Sequence, residues 1–170
     1  MNTNVKTTDE LNAMSVDEML QLGIEDVADL EGFRPYPTAL YSFVVKACGI
    51  ENVGAEDKPT IQLETELTSC DELDNEADAD QLPEEFPAKY KENFFLDTDK
   101  RIGLRGFITI TRPLAVANGW TNIQEIMEGM VGFTGKALIK KGGYYKKTPD
   151  GSKGEYQETN NIDTATVLWD

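Results

Sequence analysis

The sequence predicts a mainly β domain with a small α component, and three observations predict it. Beyond Thr38 the apolar residues alternate with polar ones in short runs, the period of a strand with one buried face. A single stretch after Pro113 has helical spacing, and two helix-start signals stand ahead of the first proline pair. The 170 residues suffice for one core with extensions, 39% are hydrophobic, and no apolar run approaches the roughly 20 residues of a membrane-spanning helix. Met1 to Thr8 has neither the basic start nor the apolar stretch of a secretory signal, so a soluble, unexported protein is expected.

Residues 1–33 are expected to form a helical acidic arm, and residues 34–170 the β domain. Thr7-x-x-Glu10 and Ser15-x-x-Glu18 each place a hydroxyl at an N-cap and a carboxylate three residues on. Leu11, Met14, Met19, Leu22, Ile24, Val27, Leu30 and Phe33 recur at three to five residues, with Gly23 and Gly32 as stops. Such an arm either docks on its own domain or joins copies of the chain or a partner. Arg34-Pro35-Tyr36-Pro37 ends it, because each proline removes a backbone donor and biases its predecessor toward extended geometry.

A first strand is expected over Thr38–Ala47, a turn over Gly49–Pro59, and a second strand over Thr60–Thr68. In the second strand Ile61, Leu63, Thr65 and Leu67 face one side and Gln62, Glu64 and Glu66 the other. Residues 69–87 are rich in Asp and Glu with little to bury and read as a mobile acidic loop; lacking glycine, they do not fit an EF-hand calcium loop. Tyr90–Asp97 reads as a third strand, with Phe94 and Phe95 on opposite faces. Residues 97–113 are ambiguous, since Phe107-Ile108-Thr109-Ile110-Thr111 is strand-like while its flanks can open a helix. Past Pro113, Leu114–Ala117 forms a short helix ending near Asn118-Gly119, and Thr121-x-x-Gln124 starts another that buries Ile123, Ile126, Met127 and Met130. Val131–Lys141 is a fourth strand, extended by Tyr144–Lys147, and a fifth element spans Gly154–Leu168, with Val167, Leu168 and Trp169 as a last strand.

Strand, strand, strand, helix, strand, strand is the element order of an OB-fold, a five-stranded barrel whose helix lies between strands 3 and 4. Its usual binding surface is the face of strands 2 and 3 with the 1–2 and 4–5 connections, and the 4–5 connection here is Lys140 to Lys153.

The composition narrows the function. The chain has no histidine, which excludes Ser-His-Asp and Cys-His triads, imidazole bases and His-containing zinc sites. Cys48 and Cys70 make no disulfide framework and no CxxC, which fits a reducing cytosol. No cofactor, metal or catalytic residue is expected. An enzyme would need carboxylates converging in a cleft, for which Glu64, Glu66, Asp97 and Asp99 are the candidates.

The net charge of −15 hides a split. Met1–Asp99 holds 24 acids against 6 bases, whereas Lys100–Lys153 holds 3 against 10. Lys140, Lys141, Tyr144, Tyr145, Lys146, Lys147 and Lys153 offer ammonium groups for phosphates and π-faces for unpaired bases, the two things that single-stranded nucleic acid requires. Lys136, Arg101, Arg105, Arg112, Tyr90 and Phe95 are candidate helpers, with Lys89 and Lys91. An exposed hairpin with solubilising lysines and packed tyrosines is the competing reading. Glu64 and Glu66 oppose binding on the strand 2–3 face, which directs the path to the 4–5 segment or the opposite face.

An acidic arm leading into Asp29-Leu30-Glu31-Gly32-Phe33-x-x-Tyr36-Pro37-Thr38-x-x-Tyr41-x-Phe43, then Glu125-Ile126-Met127-x-Gly129-Met130-x-Gly132 and the Lys/Tyr segment, resembles small OB-fold single-stranded DNA-binding proteins of tailed bacteriophages. The resemblance covers about Asp29 to Tyr156. It implies non-sequence-specific single-stranded DNA binding in phage replication or recombination, in the cytoplasm of an infected bacterium, with replication proteins and a second copy of the chain as possible partners and no membrane. Many such proteins end in an acidic run tipped by an aromatic; here Trp169 is present and the run is absent. The alternative is a virion component, a head-decoration or tail-associated protein.

Overall fold

The computed structural model describes residues 5–26 and 35–170, in two compact units, Met1–Phe33 and Arg34–Asp170. In the first unit, α1 (Thr8–Asn12) and α2 (Val16–Leu20) are followed by a single 3-10 turn, Ile24–Asp26. Both start signals act as read: the Thr7 and Ser15 hydroxyls accept from the Glu10 and Glu18 amides, each at 3.2 Å, and the Glu18 carboxylate reaches back to the Ser15 amide. α2 stops at Gln21, two residues before Gly23. The arm positions Val27, Leu30, Gly32 and Phe33 lie outside the described residues, as does Arg34.

The second unit is mainly β: a six-stranded antiparallel sheet of β1 (Ala39–Val53), β2 (Lys58–Leu73), β3 (Ala88–Phe95), β4 (Thr134–Lys147), β5 (Lys153–Ile162) and β6 (Leu168–Trp169). The path runs β3-β2-β1-β4-β5, with β6 added beside the start of β4. Six strands stand where five were expected.

Two expected loops are in part strand. The Gly49–Pro59 turn shrinks to Gly54–Asp57, because Val53 pairs with Lys58 and the ladder continues back through Gly49 and Gln62. Gly54, at φ +80°, supplies the left-handed backbone of the tight turn. The acidic segment also loses its first five residues to β2, which pairs through Leu73 opposite Ala39, and Asn75 caps a 3-10 turn, Glu76–Gln81. Register shifts at Leu40/Tyr41, Ser42/Phe43 and Val45/Ala47 curl β1 around the core.

The ambiguous stretch is helix α3 (Ile102–Asn118), entered through a 3-10 turn, Asp99–Arg101. Its β-branched run obeys the helical period: Phe107, Ile110, Thr111, Leu114 and Ala115 are buried on one face, so packing overrides propensity. The Thr109 and Thr111 hydroxyls donate back to the Arg105 and Phe107 carbonyls, each at 2.8 Å. The helix passes through Pro113, on its exposed side, and ends at Gly119 as read. α4 (Ile123–Gly129) starts one residue later than read, because Asn122 Oδ1, at 2.9 Å from the Glu125 amide, is the cap, while Thr121 binds the Glu125 carboxylate.

The core lies on one face of the sheet. Tyr41, Phe43, Val45, Ile61, Leu63, Leu67 and Ile139 meet Phe107, Ile110, Leu114 and Met130 there. Trp169 is half-buried, edge-on to Phe43 at 5.4 Å, and its indole N–H donates to the Ile110 carbonyl at 2.7 Å. The C-terminal aromatic is therefore part of the fold. Gly103 is where α3 meets β3: a Cβ there would stand 2.0 Å from the Phe95 carbonyl oxygen. Gly103→Ala is expected to cost about 1–3 kcal/mol of stability, read as a lower urea midpoint.

The path is open at its ends, since no ladder joins β3 to β5 among the described residues. Side chains join them. Tyr36 exchanges two 2.8 Å bonds with Asn160 of β5, its amide donating to Oδ1 and its carbonyl accepting from Nδ2, while its hydroxyl donates to the Lys89 carbonyl of β3 at 2.9 Å. Deeper in, the Glu92 carboxylate of β3 accepts from the Ile162 amide of β5 at 3.2 Å and from the Tyr90 hydroxyl. Burial pushes the Glu92 carboxyl up to about 7, against the downward pull of those two donors.

The folded protein therefore holds the Glu92 proton more tightly than the unfolded chain, so this residue's stabilisation is complete below about pH 4.5 and is lost as pH rises through about 7. The loss is on the order of 3 kcal/mol. Glu92→Gln keeps an acceptor and removes the titration. Its stability advantage over the wild type, measured by urea unfolding, is expected to grow between pH 5 and pH 8; a constant gap would contradict the assignment.

Candidate nucleic-acid interface

β4 has two halves with different neighbours. Thr134–Ile139 pairs with β1, whereas Lys140–Lys147 pairs only with β5, so the second half leaves the sheet as a two-stranded ribbon. The segment read as the strand 4–5 connection is thus mostly strand, closed by a turn at Thr148–Ser152. The Thr148 amide donates to the Ser152 carbonyl at 3.0 Å, and Gly151 takes φ +84°. The Asp150 carboxylate accepts from the Thr148 and Ser152 hydroxyls and the Ser152 amide, which hold its carboxyl down at about 2.

Because side chains alternate along a strand, the adjacent tyrosines lie on opposite faces. Lys141, Gly143 and Tyr145 continue the row of Ile139; Lys140, Gly142, Tyr144 and Lys146 form the other. Tyr145 stands opposite Tyr156 of β5, with ring centroids 5.0 Å apart, and the Lys153 ammonium sits 4.5 Å from the Tyr145 ring centroid. Gly143 makes room for this cluster, since a Cβ there would stand 2.6 Å from the Tyr156 hydroxyl oxygen. Tyr144 takes no part in it. All three tyrosines are about half exposed, at 54%, 52% and 50% for Tyr144, Tyr145 and Tyr156. Tyr156 was missed in the sequence, although it mirrors Tyr145 across the Gly151 turn.

The cations divide equally clearly. Lys136 pairs with Asp71 at 3.4 Å, Lys140 with Asp163 at 2.9 Å, and Lys141 with Glu158 at 3.9 Å while donating to Gln81 Oε1 at 3.1 Å. Lys146, Lys147 and Lys153 have no carboxylate within ion-pair distance among the described residues. Among the lysines of β4 and β5 the unmatched ones are therefore at the ribbon's tip, alongside Asp150 and Glu155.

The helpers are scattered. Tyr90 is buried, 8% exposed, with its hydroxyl on Glu92, so it presents no face to a base. Phe95 is half-buried at the end of β3. Arg101 donates to the Leu96 carbonyl at 2.8 Å, and Arg105 and Arg112 are exposed on α3. α3 meets β6 through Trp169, which pairs with Gly135; Lys147 is about 40 Å of strand farther along β4, too far for the helix and the tip to share a short site. On the β2–β3 face Glu64 pairs with Lys91 at 3.0 Å and Glu66 stands opposite Lys89. That face is charge-matched, and of the four acids considered for an enzyme, Glu64 is engaged there.

Comparison with family models, with curated proteins and with solved structures returns no match to this chain.

Exposed tyrosines in an antiparallel ribbon also support one another across the strands. Tyr145→Ala is expected to expose the Tyr156 ring and loosen the ribbon while the global unfolding midpoint stays within about 0.5 kcal/mol, because the ribbon lies beyond the core. Faster hydrogen exchange confined to residues 143–158 is the corresponding readout.

Proposed function

We propose that this chain binds single-stranded DNA without sequence preference through the tip of the β4–β5 ribbon, by lysine–phosphate contacts and base stacking and without catalysis. The observation that carries the reading is a ribbon projecting beyond the sheet, with Tyr144 half exposed and Lys146, Lys147 and Lys153 unmatched by carboxylates among the described residues. Single strands are held by this combination of cations and aromatic platforms.

The strand path β3-β2-β1-β4-β5, with α3 and α4 between β3 and β4, supports an OB-like arrangement opened between β3 and β5, in which the 4–5 connection is a binding element. A role in phage replication or recombination, in the cytoplasm of the infected host, follows from the resemblance in the arm, Glu125–Gly132 and Lys/Tyr segments. The whole chain's charge of −15 is compatible with this reading because screening limits repulsion to about a Debye length, roughly 8 Å at physiological salt.

Tyr144 is the stacking residue, since Tyr145 is already engaged by Tyr156 and Lys153. Anisotropy of labelled oligo-dT, with duplex DNA as competitor and across a salt series, tests the class: salt-sensitive binding that prefers the single strand is expected. No binding at low salt would reject it in favour of a virion component. Within a positive result, Tyr144→Ala is expected to cost about 1–3 kcal/mol and Tyr145→Ala clearly less. Changing Lys146, Lys147 and Lys153 to Gln together should flatten the salt dependence by about 2 in log–log slope, at about 0.7 for each phosphate no longer neutralised. An unchanged slope would place the site elsewhere.

A further inference from the structure

The root of the ribbon is as rich in lysine as its tip but is closed by carboxylates from three different places. Asp71 comes from β2, Glu158 from β5, and Asp163 from the turn after β5. Two of these acids are firmly held. Asp71 accepts from the Ser42 hydroxyl at 2.5 Å and the Ser69 hydroxyl at 2.7 Å; Asp163 accepts from the Ala165 amide at 3.2 Å, besides its contact with Lys140. These contacts keep both carboxyls below the usual carboxylate range, so the pairs stay charged through mildly acidic conditions. The Lys140 ammonium is 2.9 Å from Asp163, the distance a phosphate oxygen would take, and the Lys141 ammonium is held more loosely, 3.9 Å from Glu158.

We infer that Asp163, Glu158 and Asp71 act as built-in competitors for the phosphates of a bound single strand, occupying Lys140, Lys141 and Lys136 so that capture is confined to the ribbon tip and the root lysines engage only by ion-pair exchange. This rests on the single-strand reading above and adds a regulation of that site. Exposed pairs of this kind are individually weak, so a polyanion exchanges with them readily. Exchange frees a carboxylate for each phosphate engaged, so it adds little to the salt dependence, and any change that removes a carboxylate converts a closed lysine into a full phosphate contact.

The test uses the full chain and oligo-dT, comparing the wild type with Asp163→Asn, Glu158→Gln and the double variant. Glu64→Gln, which frees Lys91 on the β2–β3 face, controls for the loss of one negative charge as such. Asn at 163 retains an acceptor for the Ala165 amide, and thermal unfolding identifies any variant that fails to fold. Each ribbon variant is expected to bind about two- to fivefold tighter than the Glu64→Gln control at low salt. Its log–log salt slope should be steeper by about 0.7 for each lysine released. Folded variants with affinity and slope equal to the control would overturn the inference while leaving single-strand binding standing. Failure of the wild type itself to bind would instead overturn the functional reading on which it rests.

Discussion

The open ends of the strand path place one demand on this fold: β3 and β5 must be held together without a ladder. Glu92 and Tyr36 meet it. A carboxyl moved out of water is costly, and two hydrogen bonds only partly compensate an ionised one, so Glu92 stays in place at the expense of a proton affinity raised toward neutrality. Tyr36, presented between two buried prolines, spans the same gap with one bond to β3 and two to β5. These contacts attach only the end of β5, from Asn160 to Ile162. The beginning of β5 has no neighbour but β4, which is why a ribbon projects at all.

Charge follows the same division. Three lysines over the sheet are paired with an acid: Lys91 with Glu64, Lys136 with Asp71 and Lys140 with Asp163. At the ribbon's tip Lys146, Lys147 and Lys153 outnumber Asp150 and Glu155, and none of the three is within ion-pair distance of a carboxylate among the described residues. A chain of net charge −15 can in this way present a local cationic tip, with the aromatic surface in the same place. Gly143 contributes by being small, since Tyr156 occupies the space over it.

Much of this was legible in the sequence, and the exceptions have physical causes. The alternation in β2 was read correctly, because a strand with one buried face must alternate. Both arm caps were likewise readable, being local hydrogen bonds between residues three apart. The Gly49–Val53 and Ser69–Leu73 extensions were not readable, since they are strand by virtue of pairing within the β1–β2 hairpin rather than by burying side chains. α3 was hidden by its β-branched residues, whose helical spacing shows only when Phe107 and Leu114 are included. In the candidate site the lysines and tyrosines could be located but not sorted: opposite faces for Tyr144 and Tyr145, the burial of Tyr90, and the partners of Lys136, Lys140 and Lys141 all depend on register and on residues distant in sequence.

The central claim is that a single strand is held at the ribbon tip rather than on the broad face of β2 and β3. Amide and aromatic chemical-shift mapping of the labelled protein, titrated with a short oligo-dT, addresses it directly. The account predicts shifts concentrated in residues 144–153, with the Tyr144 ring moving more than the Tyr145 ring; shifts centred on Glu64, Lys89 and Lys91, with the ribbon undisturbed, would contradict it.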